Sequence, residues 1–113
     1  ALNVARVLGA TCELTIKEGY AVTNNDGLVT QIIRDAATEL LGSSHVVEVP
    51  FDTWAEDFGY MTAEVPGSMF WLGVTSDRVP NPIWHSSTFD LDEDALPIGA
   101  MVLAASARRL LQL

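Results

Sequence analysis

The sequence predicts an α/β fold, a layered domain with a partly parallel sheet and packing helices. Three observations carry that expectation. Two long stretches, 27–41 and 92–111, repeat apolar residues at helical spacing or are almost uncharged in their middle. Short alternating or apolar stretches lie around them, and Gly or Pro stands near most changes of pattern. Strand-like pieces interleaved with helices are the signature of such a domain.

Leu2–Gly9 reads as the tail of a helix closing on a glycine, and the first residue is Ala. A piece of a longer protein or a processed product is expected. Thr11–Lys17 alternates, with Cys12, Leu14 and Ile16 on one face, and predicts a half-buried strand. Cys12 is then a small core residue, since nothing adjacent would activate a thiolate. Gly19–Asp26 is a connector in which Asn25 or Asp26 can cap the following helix. That helix spans Gly27–Leu41, with Leu28, Val29, Ile32, Ile33, Ala36, Ala37, Leu40 and Leu41 forming its apolar face, and Gly42 stops it.

His45–Val49 predicts a short strand ended by Pro50, with His45 facing solvent. Thr53–Met61 predicts a helix with Thr53 as cap and Glu56 and Asp57 in its first turn, where the dipole favours acids. Ser68–Val74 is continuously apolar, as expected of an interior strand covered on both faces, which makes Met69, Phe70 and Trp71 core. The helix between the two strands fits a right-handed crossover and makes them parallel neighbours. A loop over Thr75–Pro82 leads to His85. The last helix, Asp92–Leu111, opens on three acids, carries Pro97 early and ends on Arg108 and Arg109; its uncharged middle should pack on several sides.

The chain has 113 residues, one domain's worth, and 49% of them are hydrophobic, which argues against disorder. Its formal charge of −9, from 15 acidic against 6 basic side chains, opposes nucleic acid and anionic membranes as partners. One cysteine excludes an internal disulfide framework and agrees with a reducing, cytoplasmic setting. No signal-peptide pattern is visible. The apolar run Ala95–Ala107, interrupted by Pro97 and Gly99, is too short for the roughly 20 residues that span a bilayer.

The stretch Ile83–Ala100 places His85 in a polar loop that runs straight into the last helix, where scaffolds present functional groups. Three ordered blocks, GYAVTNNDGLVTQIIRDAATELLG, WAEDFGYMTAEVPGSMFWLGV and WHSSTFDLDEDALPIGAMVLAASARRLL, resemble the C-terminal part of the M-twenty metallopeptidases, the two-metal amidohydrolases related to aminoacylase, hippurate hydrolase and carboxypeptidase. The resemblance implies that His85 is the last metal-binding histidine, and that Glu56 and Asp57 line the substrate cleft. It implies two divalent metal ions, zinc or manganese, in the complete enzyme, and an N-acyl amino acid or small peptide as substrate. It also implies that residues 1–18 end an inserted small domain, lid-like or dimerisation-like, and that 19–113 form the C-terminal segment of a zinc-exopeptidase-like catalytic domain. Ser87 departs from the pattern, standing where proline is common.

Zinc takes three or four His, Cys or carboxylate ligands, and a two-metal hydrolytic site needs a bridging carboxylate and a general base as well. This sequence holds no second cleft histidine and no Glu-Glu pair, so no catalytic residue is assigned to the chain and it is expected to be inactive alone. The competing expectation is a non-catalytic α/β module that binds a partner or forms a homodimer through exposed apolar edges.

Overall fold

A computed structural model describes residues 1–54, 56–80 and 83–113. Four α-helices run in chain order: α1 (Leu2–Val7), α2 (Gly27–Leu41), α3 (Phe58–Glu64) and α4 (Ala95–Leu110), with a 3-10 turn at Ser43–His45. No strand forms among the described residues, so the expected α/β sheet is corrected to helices joined by extended segments. Thr11–Lys17, His45–Val49 and Ser68–Val74 were the expected strands. The first is exposed along its length, with Leu14 and Ile16 at the surface, and Cys12 is exposed rather than core. A strand is defined by a hydrogen-bonded neighbour, and alternation in a sequence reports faces, not neighbours.

α2 forms where its capping chemistry dictates. Asp26 Oδ1 accepts from the Val29 amide at 2.9 Å, and Gly42 ends the helix with φ 87°. Asn25, the other candidate cap, is used differently. Its side chain donates to Met69 O at 2.8 Å and accepts from Met69 N at 2.9 Å, the reciprocal pair that a neighbouring strand would supply. With Asp26 N donating to Gly67 O at 2.8 Å and Thr30 Oγ1 meeting Ser68 Oγ at 2.9 Å, the start of α2 clasps the start of the extended segment 67–76.

That segment is the spine of the molecule. Its residues alternate: Phe70, Leu72 and Val74 are half-buried while Trp71 and Gly73 are exposed. The inner face packs on α4, where Leu72 lies so close to Gly99 that an added Cβ would come within 2.8 Å of Leu72 Cδ2. Only one face is covered, not two. Its far end is tied down by Asp92 N donating to Val74 O at 3.0 Å.

α2 and α4 pack on each other through small side chains; Ala36 and Ala37 on α2 and Ala95, Gly99, Val102 and Ser106 on α4 are buried. The rest of α4 is open, with Leu96, Met101 and Leu103 about half-exposed, so it packs on one side only. α3 starts later than expected, at Phe58, and Ala55, which falls in the expected helix, lies outside the described residues, as do Asn81 and Pro82 of the loop before His85. α3 rests on the connector: Tyr60 donates from its hydroxyl to Gly19 O at 3.1 Å, and Gly59 sits against the Ala21 carbonyl.

The accessible surface is 9289 Å², against about 6,100 Å² for a compact monomer of this mass. The radius of gyration is 20.0 Å, against about 13 Å for a compact domain of this length. Among the described residues no helix is long and apolar enough to cross a membrane.

Candidate functional site

His85 sits in a four-residue turn, Ile83–Ser86, closed by Ser86 N donating to Ile83 O at 3.3 Å. His85 has φ 59° and is the only non-glycine residue with positive φ among the described residues, so Trp84 before it is negative and the turn follows the type II pattern. The third position of such a turn favours glycine. A side chain there costs about 1–2 kcal/mol. The turn leaves the imidazole exposed.

The surroundings offset that cost. Trp84 packs on two other indoles, Trp54 at 5.3 Å between ring centroids and Trp71 at 5.2 Å, with the planes tilted by 52° and 30°. Aromatic pairs of this geometry contribute about 0.5–1.5 kcal/mol each beyond their burial. A second turn follows at once. Phe89 N donates to Ser86 O at 3.2 Å, and Ser86 Oγ accepts from Thr88 N at 3.1 Å and meets Thr88 Oγ1 at 2.9 Å. Ser87 occupies its second position.

Glu56 and Asp57 stand at the start of α3. Glu56 Oε1 accepts from Asp57 N at 2.9 Å and from Phe58 N at 3.2 Å, which satisfies amides left free by the first helical turn. Asp57 is the exposed residue at the N-cap position, with no capping hydrogen bond from its side chain. Trp54 lies two residues before Glu56 and Trp84 one before His85, so their contact joins the two stretches that the sequence singles out. Trp71 brings in the outer face of the spine.

Beyond the turns, Arg78 pairs with Asp92, at 2.6 Å, and with Asp94. Hydrogen bonds from the Ser76 hydroxyl, from Arg78 and from the Asp94 amide hold the Asp92 carboxyl down at about 2, below its ordinary 3.8. The Arg78 guanidinium is raised in turn by its hydrogen bonds to Asp92 and Asp94. These pairs fix the entry to α4. The helix begins at Ala95, three residues later than expected, because the acids spend their backbone on a turn in which Asp92 O accepts from Ala95 N and Glu93 O from Leu96 N, both at 3.0 Å.

No three His, Cys, Asp or Glu side chains gather to hold a metal ion among the described residues. An exposed imidazole is a donor suited to zinc, so the chemistry of His85 fits a single ligand; the described residues do not gather a site of their own. His45 is committed elsewhere, its Nδ1 lying 2.8 Å from Leu41 O at the end of α2. The tryptophan stack is the feature that sequence reasoning missed. The signal for it was the placing of two of the three tryptophans beside the candidate site residues.

The chain belongs to the peptidase family M20/M25/M40, which it matches over residues 3–109. It is similar to the IAA-amino acid hydrolase ILR1-like 6 of Arabidopsis thaliana, 37% identical over 93 residues, which are 81% of this chain and 20% of that protein. It is also similar to thermostable carboxypeptidase 2 of Saccharolobus solfataricus, 37% identical over 111 residues, 93% of this chain and 26% of that protein. N-acetyldiaminopimelate deacetylase of Enterococcus faecalis is 33% identical over 103 residues, 88% of this chain and 26% of its own length. The chain thus spans about a fifth to a quarter of these relatives. No solved structure matches it.

Proposed function

We propose that the chain is the C-terminal part of a metal-dependent amidohydrolase that hydrolyses the amide bond of an N-acyl amino acid or small peptide. Residues 1–18 end an inserted small domain and 19–113 belong to the catalytic domain. His85 contributes one ligand to a pair of divalent ions, zinc or manganese, and Glu56 and Asp57 form part of the substrate wall. Bound metal in such enzymes polarises the amide carbonyl and activates water. The remaining ligands and the general base belong to chain outside this sequence, and the setting is cytoplasmic.

The observation that carries this reading is the histidine at a turn position that favours glycine, within a chain whose match to the family runs almost end to end. Members of the family bind metal ions. Two of the relatives are named for hydrolysing an IAA-amino acid and for deacetylating an N-acetyl compound, which supports the substrate class.

The test is His85→Ala in the full-length protein, followed by metal analysis and assay on N-acyl amino acids. Metal content and turnover should both fall, by at least about tenfold for loss of a ligand. Unchanged metal occupancy would remove His85 as a ligand, and appreciable turnover by residues 1–113 alone would overturn the placement of the catalytic machinery elsewhere.

A further inference from the structure

We infer that the stack of Trp54, Trp84 and Trp71 is the positioning device of this site, with Trp84 as its central positioning residue. The inference rests on the reading of His85 as a ligand and goes beyond it to what presents that ligand. Three observations meet here. His85 sits at φ 59°, in the left-handed region that few non-glycine residues occupy. The residue before it touches two indoles, each at just over 5 Å. Those two indoles come from different parts of the fold: Trp54 from the stretch that leads to Glu56 and Asp57, Trp71 from the outer face of the spine whose inner face packs on α4.

The stack therefore does two things at once. It prevents the Ile83–Ser86 turn from relaxing to a negative φ at His85, which would re-aim the imidazole. It also ties the histidine turn to the Glu56–Asp57 segment, so that ligand and substrate wall keep one spacing. All three rings are about half-exposed, at 58%, 50% and 44% for Trp54, Trp71 and Trp84. Truncating one therefore removes contacts from the site without opening the packing between α2 and α4.

The experiment uses the full-length metal-loaded protein with Trp84→Ala, Trp84→Phe, Trp54→Ala and His85→Ala. Metal affinity is measured by chelator competition, kcat and KM separately on an N-acyl amino acid, and indole stacking by the far-ultraviolet exciton couplet. Trp84→Ala should abolish the couplet and weaken metal binding about tenfold or more, as loss of a group that orients a ligand does. Trp84→Phe, which keeps an aromatic ring in the stack, should restore most of the affinity. Trp54→Ala, which removes one contact and leaves the Trp71 pair, should fall between them and serves if Trp84→Ala does not fold. If the couplet disappears in Trp84→Ala while metal affinity stays within about twofold, the positioning role is overturned and the ligand reading stands, provided His85→Ala has lost its metal. If His85→Ala keeps its metal, the ligand reading fails and the positioning role falls with it.

Discussion

Two glycines show how far a single methyl group matters. A Cβ on Gly59 would lie 2.5 Å from the Ala21 carbonyl oxygen and 3.0 Å from two further backbone carbons, none of which can swing away. Gly59→Ala should destabilise the full-length protein by about 1–3 kcal/mol, the usual cost of overpacking. At Gly99 the obstacle is Leu72 Cδ2 at 2.8 Å, the far end of a side chain that can turn. Alanine also gains about 1 kcal/mol of helix propensity over glycine, so Gly99→Ala should fall within about 1 kcal/mol of wild type. Urea denaturation of both variants checks the contrast, and equal losses would contradict it. Ser87 offers the opposite sign. It is second in the turn closed by Phe89 N and Ser86 O, a position that suits proline, and its own amide has no partner among the described hydrogen bonds. Ser87→Pro should stabilise the protein by about 0.4–1 kcal/mol through the unfolded state. A fall in the denaturation midpoint would show that the turn needs Ser87's freedom.

At the scale of elements, the entry to α4 carries a pH signature. Asp92 has a folded value of about 2 against an ordinary 3.8. Because the folded value is the lower one, the carboxylate's contribution is fully present above about 3.8 and is lost as pH falls towards and through about 2. Wild type should therefore exceed Asp92→Asn in denaturation midpoint at neutral pH, with the gap closing across that window and gone below it. A gap that persisted in strong acid would show that the variant had lost packing and not charge.

The helices were legible because their signals are local. Asp26, the apolar spacing from Leu28 to Leu41 and Gly42 define α2 within one window of sequence. The expected strands did not form among the described residues: alternation in Phe70–Val74 states that one face differs from the other but not what pairs with the edge. The same limit applies to the site. His85, Glu56 and Asp57 stood out by residue type and by family pattern, whereas the contact between Trp54 and Trp84 joins residues 30 apart in sequence, with no periodicity to announce it.

The whole molecule is governed by what it leaves uncovered. Its accessible surface of 9289 Å² exceeds the compact expectation by about 3,200 Å², more than the roughly 1,600 Å² that two partners together bury in a standard interface. The buried hydrophobic residues among those described are Ala36, Ala37, Ala95 and Val102, side chains too small to supply much burial free energy. Ordering the backbone opposes folding by about 1–2 kcal/mol per residue, so a chain with so thin a core lacks the driving force for a cooperative fold. Expressed alone, residues 1–113 should show a broad thermal transition with a small heat-capacity change, and small-angle scattering should give a radius well above 13 Å at the lowest concentrations. With increasing concentration the exposed apolar side chains of α4 and of the extended segments should drive association without a defined endpoint. A discrete dimer that melts in one sharp transition would favour the self-association module instead, because it would mean that a second copy covers the surface which the rest of an amidohydrolase is proposed to cover.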